Sequence, residues 1–165
     1  MEAEFEAVRR FSAEVAVKRC RNQMALTFLL AVAFNYPWEL AQAPLYVGMD
    51  SLRTTLPHCF VASIGDGFLV LLIVLAGRLV LGDWHWFEHP GAGGYVLMAT
   101  VGLLIGVSVE WAAVHVAGRW SYTASMPRLP GLDVGVLPVA QMLVLPPVIF
   151  WTARFISEGR SLSSR

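Results

Sequence analysis

Four long apolar stretches alternate with short polar segments along the chain. The stretches cover about 23–46, 58–81, 94–116 and 136–155. About 20 consecutive apolar residues are enough to cross the hydrocarbon core of a bilayer. The pattern therefore predicts an all-α integral membrane protein built as a four-transmembrane-helix bundle. We divide the chain into an amphipathic N-terminal segment at 1–22, a four-helix transmembrane domain at 23–156 and a cytoplasmic tail at 157–165.

The N-terminal segment has its own polarity pattern. Phe5, Val8, Phe11 and Val15 fall on one face of a helix, and charged residues occupy much of the rest. Such a helix is expected to lie in the headgroup region, although an ordinary solvated helix has the same pattern. The many acids and bases in the first 21 residues do not fit a secretory signal peptide, so the first span is expected to be retained.

Prolines interrupt two of the predicted spans. Pro37 lies within the first, and Pro138, Pro146 and Pro147 lie within the fourth. Because proline removes a backbone hydrogen bond, we expect a kink in the first helix and a bend or break in the fourth.

Composition agrees with the pattern. Hydrophobic residues make up 56% of the 165 residues, which is above the roughly 45–50% of soluble domains. The net charge is zero, so nothing indicates a nucleic-acid partner. The expected partners are the lipid bilayer and an apolar small molecule, with a homo-oligomer or a larger membrane complex left open.

The distribution of Lys and Arg predicts the orientation. With four spans, both termini share one side, and that side carries nine basic residues against three on the other. The nine are Arg9, Arg10, Lys18, Arg19, Arg21, Arg78, Arg154, Arg160 and Arg165, and the three are Arg53, Arg119 and Arg128. The bias predicts a multi-pass protein of the cell inner (plasma) membrane with both termini in the cytoplasm.

One polar residue stands out at a similar depth in each span. Glu39, Asp66, Glu110 and Gln141 fall roughly 8–12 Å from the outer ends of their helices, at about 1.5 Å per residue. A charged group at mid-membrane costs roughly 2.5–3.5 kcal/mol on insertion scales, so such residues are seldom without a role. We expect the four to meet in one intramembrane layer.

Spacing places the polar residues on inward faces. Asn35, Glu39 and Gln42 follow i, i+4, i+7 spacing and form one stripe. Gly102 and Gly106 precede Glu110 at intervals of four, a pattern that permits close helix contact. Polar faces turn toward the bundle interior, because lipid offers them no hydrogen-bond partner.

Clustered carboxyl groups suit acid–base chemistry. A neutral acid in an apolar pocket donates a proton, and an ionised neighbour accepts one or stabilises a cation. We predict Glu39 and Asp66 as donor and acceptor, with Glu110 adjusting their acidity. The residues predicted to contact substrate are Asn35, Trp38, Gln42, Gln141, Trp120 and Tyr122. The loop that carries Trp120 and Tyr122 either covers the pocket mouth or only connects two spans.

Three other roles for this layer stay open. The acids and amides could only pin helices together, or the chain could be an accessory subunit of a larger membrane complex. It could also be a carrier subunit for protons or small cations. The apolar inner stretches at 69–75 and 144–151 argue against a water path.

Histidines offer weaker signals. His85, Glu88 and His89 match the H-x-x-E-H pattern of zinc peptidases, but Pro90 follows at once and no third ligand stands out. We interpret this segment as an aromatic-belt turn. His58 and His115 lie near the outer ends of their spans, where interfacial packing is favoured over metal binding. No metal and no cofactor are predicted.

The segment Asn35-Tyr36-Pro37-Trp38-Glu39 resembles the Asn-x-x-Trp-Glu element of the small transmembrane terpene cyclases of meroterpenoid pathways. In that family, an intramembrane glutamate of this element helps to protonate an isoprenoid epoxide or olefin. The resemblance implies that Glu39 is the acid in a cyclisation or isomerisation. It covers five residues, and the chain is shorter than those proteins, with fewer spans. Asp66 or Glu110 would have to replace their second acidic site.

Overall fold

The structure, a computed structural model, describes residues 1–163, without the side chains at positions 2–4, 7, 8, 12 and 160–163. Val8, used above for the apolar N-terminal face, and Arg160 and Arg165, used for the charge count, lie outside the described residues. The described part of the chain contains no β-strand.

Four long helices form the molecule. They are α1 (Glu2–Gln42), α2 (Leu52–Leu81), α3 (Gly91–Trp111) and α4 (Val136–Ser163). Two short 3₁₀ turns, Ala43–Leu45 and Trp86–Glu88, lie in the connections, and a π turn, Ala112–Val116, extends α3. Each of the four helical segments is long and apolar enough to cross a membrane. The predicted all-helical fold with four such helices is confirmed.

The first helix differs from the expected division at residue 22. α1 continues from Glu2 to Gln42, because no glycine or proline occurs before Pro37. Residues 2–22 and the first apolar stretch therefore form one uninterrupted helix. The position of residues 2–22 relative to a membrane stays a prediction.

The prolines do not break the helices. α1 passes through Pro37, and α4 passes through Pro146 and Pro147. Pro138 lies in the first turn of α4, where a backbone N–H has no helical partner to lose. Pro146 is fully buried, so tertiary packing holds α4 together where backbone hydrogen bonds are missing.

The helices pack in a ring. α1 contacts α2 and α4, α3 contacts α4, and α2 and α3 form the loosest of these four contacts. Short connections make successive helices antiparallel, so both termini lie at one end. We call that end proximal and the opposite end distal.

The proximal half has a dry core. Ile73, Met98, Ile149 and Phe150 are at most 2% exposed. Trp86, from the α2–α3 connection, inserts among them and donates its indole N–H to the Val74 carbonyl at 3.0 Å. The proximal core is therefore apolar, and Glu39, Asp66 and Glu110 lie in the distal half.

Glycines allow α3 to approach α4 closely. A Cβ added at Gly102 would lie 2.2 Å from the Met142 carbonyl oxygen, which is backbone and cannot rotate away. At Gly93, on the same helix, an added Cβ meets nothing within 4 Å. The two positions therefore form a matched pair.

We expect Gly102→Ala to destabilise the fold by about 1–3 kcal/mol, because overpacking must push α3 away from α4. Gly93→Ala should leave stability unchanged or raise it by up to about 1 kcal/mol, since alanine favours helix. Denaturant unfolding of both purified variants in detergent checks this, and equal stability of the two would contradict the close contact.

Candidate functional site

One amide on α4 joins three helices in the distal half. The Gln141 Nε2 atom lies 2.7 Å from Asn35 Oδ1, 3.0 Å from Glu39 Oε1 and 2.9 Å from Asp66 Oδ2. Gln141 is only 1% exposed. An amide nitrogen carries two hydrogens, so three acceptors compete for them. Gln141 thus fixes the carboxyl groups of α1 and α2 on either side of a single donor.

Neighbouring amides orient this cluster. Asn35 donates its Nδ2 hydrogen to the Ala31 carbonyl at 2.8 Å, which turns its oxygen toward Gln141. Gln42 donates to Glu39 Oε1 at 2.8 Å and to the Gln141 oxygen at 3.0 Å. Contacts on several sides therefore fix the side chains of this cluster without a ligand.

The Glu39 and Asp66 carboxyl groups meet at one amide nitrogen, because one oxygen of each lies within 3.0 Å of Gln141 Nε2. Two carboxylates held this near each other repel when both are ionised, and burial disfavours the charged form as well. The pair is therefore suited to hold one exchangeable proton.

Glu110 on α3 has different surroundings. Its Oε1 atom accepts hydrogen bonds from Tyr122 Oη at 2.6 Å, Tyr46 Oη at 3.2 Å and Trp120 Nε1 at 3.2 Å. Within the described residues, Oε2 has no such donor. Three donors on one oxygen suit a carboxylate anion, since hydrogen bonds to the charged form favour it. Burial raises the pKa of the Tyr122 phenol, so it remains a neutral donor.

The connection between α3 and α4 folds over the distal end. Two backbone hydrogen bonds tie it to the end of α1, from Val47 N to the Ser121 carbonyl and from Thr123 N to the Leu45 carbonyl, both at 2.9 Å. Tyr122 accepts a further hydrogen bond from Gly135 N at 2.9 Å. This strap, residues 117–135, places Trp120 and Tyr122 against Glu110.

A cavity of about 310 Å³ lies beneath the strap and between the helices. Its volume falls at the lower end of the 300–1,000 Å³ typical of small-molecule sites. Its walls are mostly apolar. The residues that line it are Glu39, Gln42, Ala43, Tyr46, Met49, His58, Cys59, Ala62, Gly65, Asp66, Leu69, Gly106, Val109, Glu110, Trp120, Pro138, Gln141 and Met142.

Six of the nine residues named from the sequence line this cavity: Glu39, Gln42, Asp66, Glu110, Trp120 and Gln141. Asn35 lies behind Gln141, and Tyr122 lies behind Glu110. Trp38 does not line the cavity and packs against the apolar core. One residue of helix turns a side chain by about 100°, so Trp38 faces away from the direction of Glu39.

Tyr46 is the main residue that the sequence analysis missed. It lines the cavity and donates to Glu110. The sequence spacing could have indicated Tyr46, because this residue follows Gln42 by four positions and so continues the stripe of Asn35, Glu39 and Gln42.

The H-x-x-E-H segment is placed elsewhere. Glu88 hydrogen-bonds Gln23 and pairs with Arg19 at 3.7 Å, and His85 lies 3.8 Å from Asp83. Among the residues that the structure describes, no three His, Cys, Asp or Glu side chains are grouped to hold a metal ion. His115 contacts the Leu132 carbonyl, whereas His58 lines the cavity.

Comparisons of the chain with protein-family models, curated proteins and solved structures find no match. Function is therefore inferred from the geometry of the cavity.

We expect Tyr122→Phe to lower the free energy of unfolding by about 1.5–3 kcal/mol, the range for hydrogen bonds to charged groups. The change removes the shortest donor to Glu110 and leaves Gly135 N without its acceptor. Tyr36→Phe is the matched control, because that phenol makes one long, exposed contact at 3.5 Å. Denaturant unfolding in detergent measures both, and equal losses would contradict the role of Tyr122.

Proposed function

We propose that the protein is a membrane-embedded acid–base enzyme that acts on an apolar, isoprenoid-type lipid. One observation carries the proposal: an apolar cavity has two carboxyl groups, Glu39 and Asp66, held on one amide nitrogen, and a third, Glu110, that accepts three hydrogen bonds on one oxygen. Two carboxyl groups in different surroundings are the arrangement by which enzymes separate an acid from a base.

Insertion in a membrane is part of this proposal. Four helices of suitable length and apolarity support it, and leucine, valine and phenylalanine side chains are exposed along their outer faces. The excess of Lys and Arg at the proximal end favours an inner (plasma) membrane location with both termini in the cytoplasm. The cavity then lies in the outer half of the bilayer.

In the proposed reaction, the Glu39–Asp66 pair gives its proton to an olefin carbon or an epoxide oxygen. The resulting carbocation lies in an apolar space, facing the Glu110 carboxylate and the rings of Tyr46 and Trp120, which attract cations. A carboxylate then removes a proton from a neighbouring carbon, which yields a cyclised or isomerised product and restores one proton to the site. The five-residue resemblance at Asn35–Glu39 points to the same acid.

Two of the three other roles, conduction and a purely structural role, are less well supported. Conduction of protons or cations needs a polar path through the proximal half, and the core cluster there, which includes Ile73, Ile149 and Phe150, is apolar. A purely structural role needs no cavity, yet the three carboxyl groups line one.

We expect Glu39→Gln and Asp66→Asn to lower turnover by about 10²–10⁴-fold, the usual contribution of a positioned general acid or base. The assay supplies prenyl olefins and terminal epoxides to the purified protein in vesicles made with D₂O. Protonation at carbon adds one deuterium to each product, and mass spectrometry detects this mass increase whatever the structure of the product.

Glu158→Gln is the control, because Glu158 is an exposed carboxylate paired with Arg154 at the proximal end. It should retain full turnover. If the wild type incorporates no deuterium from any olefin and converts no epoxide, or if the two site variants keep wild-type rates, the proposal fails.

A further inference from the structure

The cavity reaches the outer surface on the lateral side between α2 and α3. Gly65 on α2 and Val109 on α3 both line it, and both are also exposed on the outer surface, Val109 to 40%. His58, two helical turns before Gly65 on α2, also lines the cavity and is exposed. Each directly precedes a carboxyl residue, Asp66 or Glu110, so the opening lies at the depth of the acids. It also lies where the helices pack most loosely.

Other approaches are more restricted. At the distal end, the Tyr46 and Trp120 rings lie 6.3 Å apart beneath the strap. Toward the proximal end, Leu69 and Met142 form a floor, and Leu69 follows Asp66 by three residues, or about 4.5 Å along the helix. Below that floor the core is packed.

We infer that substrate enters sideways from the lipid through this portal, defined by Gly65 and Val109, and that only the end of a long single chain reaches the acids. A cavity of about 310 Å³, with its floor about one helical turn below Asp66, has room for the terminal unit of the substrate chain. The rest of the substrate chain stays among the lipid tails. The inference deepens the proposed function, and its chemistry rests on that proposal. The portal itself is tested by binding alone.

The probe is a prenyl alcohol that carries a diazirine at its hydrocarbon end, mixed into phosphatidylcholine vesicles that contain the protein. After illumination, peptide mass spectrometry locates the crosslinks. We expect adducts at the floor residues Leu69 and Met142, in addition to adducts on outward-facing side chains such as Leu72 and Leu104.

Two variants narrow the portal. A side chain at Gly65 meets nothing within 4 Å at its Cβ, so Gly65→Phe extends into the opening without a clash at its base. Val109→Trp fills it from α3. With illumination soon after mixing, before floor adducts in the wild type reach their plateau, each variant should slow the formation of floor adducts at least about tenfold, which corresponds to a rise of about 1.4 kcal/mol in the barrier to entry. Adducts on the outer faces should stay unchanged.

The matched controls make the same kind of change away from the portal. Val80→Phe and Val96→Trp replace exposed side chains near the proximal ends of the same two helices, and neither residue lines the cavity. Both should keep wild-type floor adducts. Gly65→Ala should also keep them, because a methyl group is too small to close the opening.

Each of the following results supports or contradicts the portal, the proposed enzyme activity or both. Outer-face adducts alone in the wild type, or floor adducts that persist in both narrowed variants, would overturn the portal. Floor adducts in Glu39→Gln without turnover would show that entry survives loss of the acid. Portal-dependent floor adducts with no deuterium incorporation in the wild type would keep the portal and reject the enzyme, whereas turnover without floor adducts would do the reverse.

Discussion

The distal half of this protein depends on the hydrogen bonds of one side-chain amide. The side-chain nitrogen of Gln141 on α4 lies within hydrogen-bond distance of Glu39 on α1 and of Asp66 on α2. Asn35 is a third acceptor for the same nitrogen. Buried polar groups are costly when unpaired, and a network stabilises a fold only when its members are satisfied. The same contacts that hold three helices together therefore also bring two carboxyl groups to one nitrogen atom.

The proximal half supports this polar arrangement from below. Trp86 packs against α2 at Gly77, where an added Cβ would lie 2.0 Å from the indole, and its ring contacts Phe87 and Phe150. This apolar packing closes the bundle below the acids. The strap closes it above, where Tyr122 links Glu110 to the start of α4 through Gly135. Between the two lies a cavity open mainly toward the side.

Sequence spacing accounts for much of this site. Depth counting placed Glu39, Asp66 and Gln141 at one level, and the structure brings these three into contact. The family resemblance grouped Trp38 with Glu39, although neighbouring residues of a helix point in directions about 100° apart, and only Glu39 faces the cavity. Periodicity could not predict that Glu110 would face its own set of donors, since these come from the strap and from Tyr46, distant in sequence.

Helix ends were harder to predict than helix faces. The division at residue 22 followed a change from charged to apolar composition, which alters the surroundings of a helix without ending it. The prolines of α4 were expected to disturb the helix, but burial of Pro146 among core side chains retains it. Residue propensities describe the local backbone, whereas tertiary packing decides whether a helix continues through a proline.

The central claim is that Glu39 and Asp66 share one proton while Glu110 is a carboxylate. Infrared spectroscopy of the protein in vesicles at neutral pH tests it directly, because the carbonyl stretch of a protonated carboxyl group is distinct from the carboxylate bands. We predict one protonated-carboxyl band that disappears in Glu39→Gln or Asp66→Asn and persists in Glu110→Gln. A wild-type spectrum without this band, or a band lost only in Glu110→Gln, would contradict the account.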